Sequence, residues 1–513
     1  MSYKALNRMG AALLICAAVS SSNLSFGQTT DLGSPFGWQS KAPMEVEKVP
    51  LAAVDIDELK SEDAINMANK VGVYRFGHEH IVDLNVLEAA TVTSTPLGDV
   101  YQVEFVSKDA LTMNVFFQDF ELGPGEYVHI FDSEGKFYDG AYTAANNQPD
   151  RLLSTLPMPA TKIVVEYFKP TDSDYDSKLT IGHVVQGYRQ VAQHFVDALH
   201  SSAKGLNDSG SCNYDTGCSE LPGNPFGEPG EWNDPIASVA IILINGSGIC
   251  SGALVNNTAN DGTPYFLSAN HCGTSGGGGR SFLFGYESPT TSCATNSNSS
   301  NGPETALING ATLRASNSGS DVALWELNSA IPASYNVFYA GWDNSGNIPT
   351  EITGIHHPSG DVKKICRDED SPFFDTAGGA QVWWINEWEW GVTEPGSSGS
   401  PIFDQDKRIV GQLYGGLAAC SGTVNNGTYD YYGRFDVSWD NGGSASSRLS
   451  DWLDPLGLNP AVLDGYNPNQ PSANLDATVQ SVDGISGFFC NQETFNPSVE
   501  ISNAGVNTLT SLT

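Results

Sequence analysis

The stretch Tyr265-Phe266-Leu267-Ser268-Ala269-Asn270-His271-Cys272 reads as an apolar strand that ends in a histidine beside a cysteine. Downstream, Ser320-Asp321-Val322-Ala323-Leu324-Trp325-Glu326-Leu327 sets an aspartate at the opening of a second apolar strand. Further on, Gly396-Ser397-Ser398-Gly399-Ser400-Pro401 forms a small-residue turn that runs into the strand Ile402-Phe403. Taken singly, these are a packed strand end, a turn aspartate and a flexible loop. Taken together, they put a His, an Asp and a Ser beside strands in one cysteine-bearing region of about 260 residues.

That trio suits nucleophilic catalysis. A serine hydroxyl is a poor nucleophile at neutral pH and needs a base to take its proton. Imidazole, with a reference pKa of roughly 6.5, is suited to that task. A carboxylate holds the ring in one tautomer and stabilises its cationic form. The developing oxyanion needs two backbone donors, which a glycine-bearing turn supplies, and Gly396 and Ser398 are placed to do so. Losing one such donor typically costs about 3–4 kcal/mol of transition-state stabilisation.

Composition sets the frame. The 513 residues allow two to four domains. With 54 glycines and only 16% charged residues, the chain reads as globular and rich in strands and turns. A net charge of -35 disfavours nucleic acid and anionic membranes as partners and favours solubility. Lys4 and Arg8 precede an apolar run at 9–19, and Ser25-Phe26-Gly27 offers a cleavage site before Gln28. Residues 1–27 are therefore expected to be a signal peptide, too short to span a bilayer. No other stretch is long and apolar enough to cross one. The expectation is a secreted, extracellular protein, monomeric, in a compartment where disulfides persist.

Residues 28–204 hold no cysteine and alternate as short strands at 101–105, 111–117, 127–131 and 162–168, after a helix at 57–70. Residues 205–466 form a second all-β region, closed by a short helix at 448–453 that Pro455 stops. A Pro/Asn/Ser linker follows at 467–473. Residues 474–513 are too few for a core of their own and read as the front of an immunoglobulin-like domain.

The run from Cys250-Ser251-Gly252-Ala253-Leu254-Val255-Asn256-Asn257-Thr258 to His271-Cys272-Gly273 resembles the lysyl endopeptidases, bacterial members of the trypsin-like family. So does Gly391-Val392-Thr393-Glu394-Pro395-Gly396-Ser397-Ser398-Gly399-Ser400-Pro401. The resemblance runs across about 205–466. It implies an all-β fold with a trypsin-like double six-stranded β-barrel, preceded by an all-β propeptide over 28–204. It also implies a triad of His271, Asp321 and Ser398. The order His-Asp-Ser agrees with that fold and not with subtilisin or the α/β-hydrolases.

The same resemblance assigns the pocket acid to Asp430, within Asp430-Tyr431-Tyr432-Gly433-Arg434, against the alternative of a surface aspartate paired with Arg434. The family's Gly-Gln-Leu-His-Gly-Gly strand is here Gly411-Gln412-Leu413-Tyr414-Gly415-Gly416. Tyr414 replaces the histidine, so the choice between lysine and arginine stays open. Gly415 and Gly416 leave room for a substrate backbone. The implied disulfides are Cys212–Cys420, Cys218–Cys293 and Cys250–Cys272, each worth roughly 3–5 kcal/mol in the chain-entropy model. Cys366 and Cys490 are left over. No cofactor and no metal site is expected, and His356-His357 reads as a substrate-side loop.

Lys204-Gly205 sits at the composition shift, where an enzyme cutting after lysine could release itself. The expected partners are protein or peptide substrates with basic residues and the chain's own propeptide. Two alternatives remain at this level: an exported adhesion protein with an inactive protease-like domain, and the same fold with non-basic specificity.

Overall fold

The structure, a computed structural model, describes residues 30, 32–39, 46–69, 73–189, 209–294, 306–469, 477–483 and 498–503. The expected leader at 1–27, the Lys204-Gly205 junction and Cys490 lie outside the described residues, as does most of the 467–473 linker.

Residues 46–189 build a β-sandwich. One sheet has six strands, including Gly98–Val106, Tyr127–Asp132 and Lys162–Pro170. The other has four, including Thr112–Glu121 and Lys178–Gly187. The period-two pattern sends Val103, Phe105, Ile163 and Val165 from one sheet, and Val115, Phe117 and Ile181 from the other, into a shared core. The expected helix is present as Ile56–Asn69, entered by Asp55, whose carboxylate accepts from the N–H groups of Asp57 and Glu58.

Residues 209–466 form two curled sheets. The first carries Val239–Ile244, Gly248–Leu254, Tyr265–Ala269, Arg280–Phe284, Ala311–Asn317 and Val322–Leu327. The second carries Ile352–His356, Lys364–Asp368, Ala380–Trp388, Pro401–Phe403, Ile409–Gly416 and Asn426–Arg434. Near-continuous apolar runs such as Val239–Ile244 are buried on both faces, which explains why they do not alternate. One cluster spans both sheets, joining Val239, Leu267 and Leu324 to Ile355, Phe403 and Ile409. The helix expected at 448–453 starts later, at Ser450, because Arg448 is extended. The three disulfides are those implied by the resemblance. Cys366 is fully buried among Trp388, Tyr432 and Ile402.

The sandwich and the first curled sheet are joined edge to edge. Tyr74 and Arg75 pair antiparallel with Ile249 and Gly248. Asn114 Nδ2 donates to the Gly246 carbonyl, and Gln148 Nε2 to that of Asn309. The Gly278 N–H donates to Asp150. At the far end, Ala477–Asp483 and Ser498–Asn503 form a two-stranded sheet.

Candidate active site

His271 stands in a one-turn helix, Asn270–Cys272, at the end of Tyr265–Ala269. The Cys250–Cys272 bond ties that turn to the neighbouring strand. Asp321 lies on the adjacent strand's approach, in the left-handed region at φ 53°, and is 4% exposed. Its Oδ1 accepts the His271 N–H at 2.9 Å, and its Oδ2 lies 2.7 Å from His271 Nδ1. A carboxylate only accepts, so Nδ1 carries the proton and Nε2 is left as the basic nitrogen. The Asn270 N–H donates to the Asp321 carbonyl at 2.7 Å, which fixes the two loops to each other.

Ser398 comes from the second sheet, yet its turn is bonded to the first. The Ser251 N–H donates to the Ser398 carbonyl at 2.8 Å, and Ser251 Oγ donates to the Gly396 carbonyl at 3.0 Å. Gly396 has φ 98°, and a Cβ there would sit 3.1 Å from the His357 carbonyl oxygen, so the turn requires glycine. Among the described residues, the N–H groups of Gly396 and Ser398 have no backbone acceptor. No hydrogen bond joins His271 to Ser398 here; such bonds tighten when substrate binds.

His356 and His357 correct the sequence expectation. Both are fully buried, so they line no substrate-side loop. His356 closes the strand Ile352–His356 and packs behind the turn, its Nδ1 2.8 Å from Ser397 Oγ. Ser397 Oγ in turn accepts the Glu394 N–H. Burial, with Lys364 adding to it, holds the His356 pKa down to about 3, so this ring is a neutral brace. Glu394 grips the other side: its Oε1 accepts from the Gly210 N–H and Asn213 Nδ2, and its Oε2 from Ser359 Oγ. Burial raises its pKa.

Asp430 is 1% exposed, on Asn426–Arg434. Its Oδ2 accepts from Trp388 Nε1 at 2.8 Å and Thr393 Oγ1 at 2.6 Å. Arg434 pairs with Asp436 instead, which removes the alternative of a surface Asp430–Arg434 pair. Gly416 forms the wall in front of it: a Cβ there would lie 1.7 Å from Asp430 Oδ1. The ladder to Asn426–Arg434 skips from Leu413 to Gly415, so Tyr414 is the bulged residue. The bulge aims its ring at His271, 5.7 Å between centroids, with Tyr431 edge-on at 5.2 Å. Trp384 lies one ring further out, stacked on Tyr431 and Tyr429; Trp383 and Trp388 are core. Past Gln412 the strand Pro401–Phe403 no longer pairs, leaving the other edge of Tyr414, Gly415 and Gly416 open among the described residues.

One cleft is lined by His271, Ser398, Gly396, Tyr414, Gly416 and Asp430. Asn66, Val73 and Tyr74 of the N-terminal sandwich line the same cleft. Sequence reasoning named the first group, which the structure places on one cleft, and did not name Trp388, Thr393, His356 or the sandwich contacts as site residues. Their partners lie dozens of residues away, and no local pattern marks them.

Two curled sheets with a cleft between them, a His–Asp pair on one side and a small-residue serine turn on the other, define a trypsin-like fold with a candidate catalytic cleft. Residues 206–433 match the family model described as lysyl endopeptidase, C-terminal domain. Lysyl endopeptidase of Pseudomonas aeruginosa is 31% identical over 255 residues, covering 47% of this chain and 53% of that protein. The chain thus spans about half the length of the curated relative it matches. Among solved structures, a Glu endopeptidase in complex with MPD is 21% identical, with a TM-score of 0.25 over 39% of this chain and 86% of that one. The active form of the Rv3671c protease from M. tuberculosis is 14% identical, with a TM-score of 0.26 over 40% and 82%. Over residues 206–433 the domain is therefore similar in sequence to the lysyl endopeptidases.

Proposed function

We propose that the chain is the precursor of a secreted serine endopeptidase that cuts peptide bonds after lysine. The observation that carries this is the convergence of His271, Ser398 and Asp430 on one cleft. A substrate pairs along the open edge of Tyr414–Gly416 and sends its basic side chain past Gly416 to Asp430. A buried carboxylate already holding two hydrogen bonds suits a cation in a closed pocket. Ser398 Oγ attacks the scissile carbonyl while His271 Nε2 takes its proton, with Asp321 stabilising the imidazolium. The Gly396 and Ser398 N–H groups receive the oxyanion. His271 then protonates the leaving amine, and water releases the acyl group by the same steps in reverse.

Activation follows cleavage after Lys204, so that the mature enzyme starts at Gly205. Asn66, Val73 and Tyr74 at the cleft fit a precursor that is silent until the N-terminal sandwich leaves. A panel of peptide amides differing only before the scissile bond tests the specificity. The highest kcat/KM is expected for lysine, with arginine the nearest competitor; a preference for glutamate or small residues would overturn the reading. A fluorophosphonate is expected to label Ser398 in the processed protein, and failure to label would favour a non-catalytic binding role. Sequencing the mature N-terminus is expected to begin at Gly205.

A further inference from the structure

We infer that the enzyme destroys its own N-terminal sandwich by cutting after its lysines, while its catalytic region is shielded from the same cut by where its lysines sit. This rests on the lysine specificity proposed above. Residues 28–204 contain ten lysines, and residues 205–466, a longer segment, contain three. Of the ten, Lys48, Lys60, Lys108, Lys136 and Lys162 are exposed, with the Lys48 and Lys136 side chains 70% and 62% accessible.

The three in the catalytic region are placed differently. Lys363 and Lys364 are 0% and 2% accessible. Lys363 Nζ donates to the Ile236 carbonyl and Glu287, and Lys364 Nζ to Asp215. Lysine is almost never so buried. Reaching either bond means pulling Lys364–Asp368 from between its two neighbouring strands. Lys407 is half-buried, with its ammonium on Glu231 and 5.7 Å from the Trp232 ring. Its backbone sits at φ 63° in a turn closed onto Asp404, a shape an extended-substrate cleft cannot take.

Cross-linking separates the two parts again. Residues 28–204 have no cysteine, whereas three disulfides staple the catalytic region. Proteolysis follows the population of open forms, and an unstapled sandwich opens more often. Lys48 needs least opening. It lies on Glu47–Pro50, an edge strand already extended and paired on one side only. Each cut breaks one peptide C–N bond: the acyl carbon takes the water oxygen, and the amine leaves with a proton.

The test uses full-length Ser398→Ala precursor as substrate for a catalytic amount of mature enzyme, followed by intact-mass spectrometry. The sandwich is expected to fall into fragments ending in lysine, Lys48 among the first, while the segment from Gly205 onward stays whole. A sandwich that persists, or cutting after Lys407, Lys363 or Lys364 at a matching rate, would overturn the inference. The peptide-amide panel, run on the same enzyme, separates the two failures. An enzyme that cleaves lysine amides yet leaves the sandwich intact sinks this inference alone; one that ignores lysine amides sinks the specificity beneath it.

Discussion

Asp430 is a buried acceptor shared by an indole, a hydroxyl and the pocket. Asp430→Asn keeps the shape but removes the charge that a lysine side chain would meet. A lost charge partner of this kind costs about 3 kcal/mol, so kcat/KM for lysine amides should fall roughly 10²-fold, with amides lacking a basic group affected least. Asp321→Asn should leave the protein folded and lower kcat by about 10⁴, because an amide stabilises the wrong imidazole tautomer. Asp368 supplies a pH test away from the cleft. Burial pushes its pKa up to about 7, and Glu389 and Glu387 add like charge. The native state therefore holds a proton that the unfolded chain releases near pH 4, and stability falls as pH rises from about 4 to about 7. Asp368→Asn keeps an acceptor for the Asp370 N–H. Its unfolding free energy in urea titrations should exceed the parent's at pH 8, by on the order of 1–2 kcal/mol after allowing for solvent, and match it at pH 4.

At the scale of elements, the serine turn is held from behind by His356 through Ser397 and from the side by Glu394. Ser397→Ala leaves Ser398 in place but frees that brace. It should lower kcat about tenfold or more with KM little changed, since the donors at Gly396 and Ser398 lose their aim. Pre-steady-state acylation rates would read this directly. The turn also explains which parts of the site were legible in sequence. His271, Asp321 and Ser398 each sit in a short motif whose neighbours announce a strand end or a glycine turn. Asp430 was named by resemblance, and its donors Trp388 and Thr393 were not, because strand register across Ala380–Trp388 and Asn426–Arg434 brings Trp388 to it. The aim of Tyr414 depends on a one-residue bulge, which no alternation pattern records. His356-His357 read as a substrate-side loop; only the fold puts both rings inside.

At the scale of the whole molecule, the sandwich shares strand pairing with the first curled sheet and touches the cleft. Purified precursor should therefore show a lag before hydrolysing a lysine amide. Added mature enzyme should shorten it, and Ser398→Ala precursor should show none of the later rise. The all-β character was visible in periodicity. The edge-to-edge join was not, since Tyr74 and Arg75 form only a two-residue strand.

The Ser251 contacts carry one more consequence. His271 and Asp321 ride on one sheet, Ser398 and Asp430 on the other, and hydrogen bonds at Ser251 join the two. These bonds set the alignment of two halves that share one core, so the site is expected to disarm once that alignment is lost. In rising urea, hydrolysis should fade ahead of the loss of tryptophan fluorescence, so that an overheated or overstretched molecule stops cutting while it can still refold.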